Sequence, residues 1–203
     1  MRGIPSAAGD RKLIQIVDAA LADATRRSGP WLACSPGCTQ CCVGVFAISQ
    51  LDAARLKHGL AQLQQKDPER AAVVRARVQA SVSRLAGQLP GDPRTGILSE
   101  DEESTSQFEI FGNDEVCPVL DPDTGLCDLY ESRPLTCRTF GPPVRSEDGL
   151  GVCELCYDGA SDEEIAACEM EVDPDDLEGN LLEEIESNTG ARGQTIITFA
   201  LRE

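Results

Sequence analysis

The chain has 203 residues, is 41% apolar but only 4% aromatic, and carries a formal net charge of −17. That length suits one domain with a modest core, and no stretch approaches the about 20 apolar residues that a membrane span requires. Residues 1–98 hold 13 Lys and Arg against 7 Asp and Glu, whereas residues 99–203 hold 5 against 28, which excludes a phosphate-tracking nucleic-acid surface and leaves two readings, halves packed by complementary charge or an acidic second half that docks a basic protein partner.

Residues 1–10 contain no uninterrupted apolar run of the secretory kind. The chain is therefore expected in a reducing cytoplasm, where ten cysteines mean metal or redox chemistry. In an exported chain the same ten would read as disulfides. A first helix is predicted over 10–27, with Leu13, Val17, Ala20, Leu21 and Ala24 on one face and Ser28-Gly29-Pro30 as its stop. Trp31 then leads into the first cysteine block as a packing anchor.

Cys34, Cys38, Cys41 and Cys42 fall within nine residues, around the turn-forming Pro36-Gly37. Thiolates this crowded are how a chain holds a soft metal ion or an iron–sulfur cluster. Neighbouring side chains diverge along an extended or helical backbone. Cys41 and Cys42 are therefore not expected to bind one ion side by side, and Cys42 either serves a second metal or is a buried thiol. A Cys-x3-Cys-x2-Cys run also suggests a radical S-adenosylmethionine enzyme. Gln40 stands where that motif places an aromatic residue, and the chain lacks alternating βα units.

Downstream, 43–48 is a short apolar strand or extended segment. Ser49 caps a helix over 50–63 with Ala53, Leu56, Leu60 and Leu63 buried, and His58 lies on its surface. Asp67 caps a second helix that starts with Pro68 and buries Val74, Val78, Val82 and Leu85, so the two helices form an antiparallel hairpin. From 89 to 125 the chain reads as loop, including the solvated acidic run 100–103. The second cysteine block follows: Cys117-Pro118-Val119-Leu120, Gly125-Leu126-Cys127, and Tyr130 through Arg133-Pro134 to Cys137-Arg138. Cys153-x2-Cys156 resembles half of a zinc knuckle. A capping box at Ser161 and Glu164 opens a short helix through Cys168, which is expected to be a core thiol. Asp173-Pro174 opens another helix to about 187, and the tail 194–201 is β-prone and could pair with 43–48.

Together, Cys34-x3-Cys38-x2-Cys41-Cys42, Cys117-Pro118-x-Leu120, Gly125-x-Cys127-x2-Tyr130 and Arg133-Pro134-x2-Cys137-Arg138 closely resemble the YkgJ-like cysteine-cluster family, described as a zinc- or iron-chelating domain. The resemblance covers about residues 31–156. It implies Cys34, Cys38, Cys41, Cys42, Cys117, Cys127, Cys137 and Cys153 as metal ligands, with Cys156 as an alternate eighth. They would form two four-coordinate sites, or one cluster with spare thiols. Arg133 and Arg138 would hold a loop or hydrogen-bond to thiolate sulfurs, and Tyr130 would pack over the site.

All-thiolate ligation suits zinc, iron or a 4Fe-4S cluster. With one histidine, histidine-rich catalytic zinc is excluded, and no nucleotide loop, Ser/His/Asp set or Cys/His pair is present. The expected protein is a single α+β domain, mainly α, over 1–203. Its cysteine-rich, loop-dominated metal core would be flanked by helices, the acidic ones over 161–188, with a few short strands. Its expected role is a structural or partner-binding metal module. The alternative is an iron–sulfur oxidoreductase or a metal-dependent modifying enzyme akin to the flagellin lysine methylases, which contain a similar cluster.

Overall fold

The computed structural model describes residues 7–146 and 149–202; residues 1–6, read above for a targeting segment, lie outside them. In chain order the helices are α1 (Ala7–Ser28), α2 (Gln50–Lys66), α3 (Pro68–Leu85), α4 (Glu102–Phe108), α5 (Leu135–Thr139), α6 (Asp162–Ala166), α7 (Leu177–Thr189) and α8 (Ile197–Ala200). Among the described residues, four short strands make two antiparallel pairs: β1 (Gly91–Asp92) with β2 (Ile97–Leu98), and β3 (Val144–Ser146) with β4 (Gly149–Gly151). The fold is thus mainly α with some strand, as the sequence indicates. Among the described residues, no helix is long and apolar enough to cross a membrane.

The chain forms two compact units. One comprises residues 37–134 and 185–203 and is called here the hairpin unit. Its frame is α2 and α3. Ser49 caps α2 by accepting from the Asp52 amide at 3.2 Å, and Asp67 caps α3 by accepting from the Arg70 amide at 2.9 Å, each satisfying a donor the first turn leaves unpaired. The facing stripes are Leu51, Leu56 and Leu60 on α2 and Ala71, Val74 and Val78 on α3, all buried. α8 packs on both helices, and Ile196 and Phe199 join Leu85, Leu89 and Phe111 in the core.

Two readings of this unit hold only in part. The acidic run is loop only through Asp101: the Asp101 carboxylate caps α4 by accepting from the Ser104 amide at 3.0 Å, and Glu102 and Glu103 occupy its first turn, where the helix dipole favours negative charge. The tail meets the 43–48 segment at one point, where Ile48 and Thr195 exchange bonds of 2.7 and 3.0 Å. Beyond it the chain turns into α8, because burying Ile197, Phe199 and Ala200 against the helices outweighs the strand preference of Ile-Ile-Thr.

The other unit comprises residues 1–36 and 135–184. α1 packs on α5, and Arg138 donates to the Asp18 carboxylate at 2.7 Å. Arg27 donates to the carbonyls of Ala167 and Glu169 at 2.5 and 2.8 Å, fastening the end of α1 to the segment after α6. The predicted capping box of α6 is present at Ser161 and Glu164. Cys168 is buried as expected, in a small core with Cys156 and Tyr157, against which Trp31 packs.

Candidate metal centre

In the hairpin unit, two backbone pairings set the chain segments that carry Cys41, Cys42, Cys117 and Cys127 next to one another. The first cysteine block ends in a 3-10 turn, Gln40–Cys42. The next segment is fixed against it: the Cys117 amide donates to the Cys42 carbonyl at 2.8 Å, the Gly44 amide to the Glu115 carbonyl at 2.9 Å, and Val43 bridges Val116. Cys117 is thereby set beside Cys42. The chain then closes a tight loop in which Leu120 bridges Cys127, the Asp121 amide donates to the Leu126 carbonyl and the Asp128 amide to the Val119 carbonyl, each at 2.8 Å. Gly125 turns this loop at φ 69°, a conformation that favours glycine. A side chain at 125 would stand 3.3 Å from the Gly37 carbonyl oxygen and 3.5 Å from the Thr39 methyl, so the loop lies directly on the segment bearing Cys38.

Cys41, Cys42, Cys117 and Cys127 therefore form one electrostatic group, all half-buried. The 3-10 turn carries both Cys41 and Cys42, and the Cys42 thiol acts on Cys41 as a hydrogen-bond donor. That bond holds the Cys41 thiol at about 6, assisted by the nearby positive charge of Arg133, and pushes Cys42 up together with burial. Burial pushes Cys117 up to about 12 and raises Cys127 as well. Cys41 is thus the thiolate at neutral pH, with Cys42 donating to it. Loading a metal on all four should release about three protons at pH 7. Calorimetry of zinc uptake in buffers of different ionisation enthalpy checks this count; release of four would make Cys41 a thiol before binding. In the metal-free chain, alkylation of Cys41 should rise as pH passes through about 6.

Arg133 lies with its guanidinium carbon 4.0 Å from the centre of the half-exposed Tyr130 ring, a cation–π contact beside the thiols. Its charge favours thiolate at both Cys41 and Cys127. Arg138 instead pairs with Asp18 in the other unit.

In that other unit, Cys34 is exposed and stands against Gly141, where a Cβ would come within 2.7 Å of its sulfur. Cys137 lies on α5. Cys153 accepts from the Cys156 amide at 2.9 Å and packs on the Cys156–Tyr157–Cys168 core. The Tyr157 hydroxyl there meets the Ser28 hydroxyl at 2.5 Å, while Ser28 donates to the Ala24 carbonyl. His58 is exposed and bonded to Gln62 at 3.0 Å, as a surface residue should be. Among the described residues, which include all ten cysteines, there is no disulfide.

Among the described residues, no three His, Cys, Asp or Glu side chains are gathered as tightly as a finished metal site requires. The donor chemistry of the hairpin unit nonetheless fits a soft metal, with four thiols in one group, a neighbouring cation and backbone that fixes three of the four positions. The sequence did not disclose the ion pairs of Arg70 and Arg77 with Asp121 and Asp128, the second of which adjoins Cys127. A family model described as "CxxCxxCC: Putative zinc- or iron-chelating domain" matches residues 33–157. No curated protein and no solved structure matches the chain.

Proposed function

Because this chain belongs to the CxxCxxCC family of zinc- or iron-chelating domains, we propose that Cys41, Cys42, Cys117 and Cys127 bind one metal ion as a closed four-thiolate site whose role is structural. The observation that carries this reading is the pairing of Cys117 with Cys42 through a 2.8 Å backbone bond and of Cys127 with Leu120. These pairings set the segments of cysteines distant in sequence side by side in one unit, which supports the reading. A four-coordinate site made wholly of protein thiolates leaves no position for a substrate and contributes directly to folding. The cavity beside Cys117, bounded by Val45, Phe46, Pro118 and Ile196, is about 20 Å³, room for no more than a water molecule. When bound, the metal supplies a cross-link between the two chain segments and accepts the charge of the thiolates. The protein residues orient it: Arg133 offsets the negative charge, and the 3-10 turn presents Cys41 and Cys42 together.

The test is elemental analysis with a visible spectrum on full-length protein purified anaerobically. One zinc or iron per chain without sulfide is expected. Brown protein with sulfide and charge-transfer absorption would replace the structural ion with an iron–sulfur cluster and open the electron-transfer reading. Protein free of metal after reconstitution would refute the proposal.

A further inference from the structure

Three arginines recur at intervals of seven along α3: Arg70, Arg77 and Arg84. Seven residues are nearly two turns of helix, so the three stand on one stripe about 10 Å apart. Every one of them grips a carboxylate from the segment that bears Cys117 and Cys127. Arg84 makes a two-pronged pair with Glu115 at 2.6 and 3.0 Å, two residues before Cys117. Arg70 spans two carboxylates, reaching Asp128 through Nε at 2.6 Å and Asp121 through Nη2 at 2.7 Å. Arg77 adds a second grip on Asp128. Asp121 and Asp128 are the two ends of the loop closed by Leu120 and Cys127, and both side chains are almost wholly buried.

We infer that the Arg70–Arg77–Arg84 stripe positions the metal centre, clamping the Cys117–Cys127 segment to α3 so that these thiols face Cys41 and Cys42; this rests on the proposed metal site. Two arguments support it. A buried carboxylate is costly without a partner; Asp128 is met by Arg70 and Arg77, and Asp121 by Arg70 together with the Thr124 hydroxyl and the Asp123 amide. Secondly, a group of thiolates repels the adjacent carboxylate of Asp128, and the guanidinium groups of Arg70 and Arg77 cancel that repulsion. The fork geometry of Arg70 matters, because a lysine ammonium cannot hold two carboxylates in fixed directions at once. At Arg77, which meets one carboxylate, a lysine can serve.

The experiment compares full-length wild type with Arg70→Ala, Arg77→Ala, Arg70→Lys, Arg77→Lys and, as a control on the exposed β1–β2 turn, Arg94→Ala. Zinc retention is read by competition with a chromophoric chelator, and iodoacetamide alkylation of Cys127 is followed by mass spectrometry in the metal-free protein. Both alanine variants should lose about tenfold in zinc affinity, the scale at which groups supporting ligands act, and should expose Cys127 to faster alkylation. Arg77→Lys should stay near wild type, Arg70→Lys should resemble Arg70→Ala, and Arg94→Ala should change nothing. Unchanged affinity and alkylation in both alanine variants would overturn the inference. Where an alanine variant fails to fold, the lysine pair decides: equal behaviour of Arg70→Lys and Arg77→Lys would overturn it. A wild-type chain that binds no zinc would sink the metal reading instead, and the alkylation rates would still test the clamp.

Discussion

Replacing Cys127 with serine should remove the metal and most of the soluble protein in one step. Structural zinc in thiolate sites contributes on the order of 10 kcal/mol to folding, more than the whole net stability of many domains. A hydroxyl is a poor ligand for a soft ion, so three thiolates would have to hold the metal alone. After passage over a chelating resin, Cys127→Ser should retain under about a tenth of the wild-type metal. Cys168→Ser provides the contrast, because Cys168 is buried in the core beside Tyr157. It should keep its metal and lose only about 1–3 kcal/mol for the buried hydroxyl. Full metal occupancy in Cys127→Ser by elemental analysis would remove that residue from the ligand set.

The second large effect is expected at a residue that is not a cysteine. Gly59 lies buried on α2, and a Cβ there would stand 2.3 Å from the Ser132 hydroxyl and 2.5 Å from its Cβ. Ser132 ends the 3-10 turn Tyr130–Ser132, which packs on α2 and follows Cys127 closely in the chain. A short side chain on a tight turn cannot swing aside, so Gly59→Val must push the turn off the helix. The cost should be about 3 kcal/mol, which in a chain of this size lowers the melting temperature by roughly 6–12 °C. Because the displaced turn also carries the segment of Arg133, metal affinity should fall with stability. A melting temperature within about 2 °C of wild type would contradict this, since that shift corresponds to under about 1 kcal/mol.

The helical frame was legible because its signals are local. Ser49, Asp67-Pro68 and the Ser161–Glu164 box mark helix starts by their own chemistry, and each caps as expected. The buried positions of α3 follow the predicted spacing from Val74 to Leu85. Expectations failed where a longer-range or finer term decided the outcome. Four consecutive acids conceal the cap at Asp101, and the strand-prone residues of the tail coil into α8 once α2 and α3 offer a surface for them. The cysteine spacing indicated a metal site, but only the turn geometry brings Cys41 and Cys42 together. The arginine stripe is visible in the sequence as a seven-residue interval. Its meaning was not, since the partner carboxylates lie 31 to 58 positions away.

The tail that seals the hairpin unit also sets an order of events during synthesis. A ribosome completes Cys41, Cys42, Cys117 and Cys127 long before it reaches Ile196 and Phe199, yet those two residues complete the core beneath α3. Domains fold as units while the chain emerges, so these thiols spend that interval on a nascent peptide whose core cannot close. Metal captured early would meet a flexible ligand set, free to pair whichever cysteines are nearest in the chain. Loading at the proposed site is therefore expected to follow closure of the core by Ile196 and Phe199.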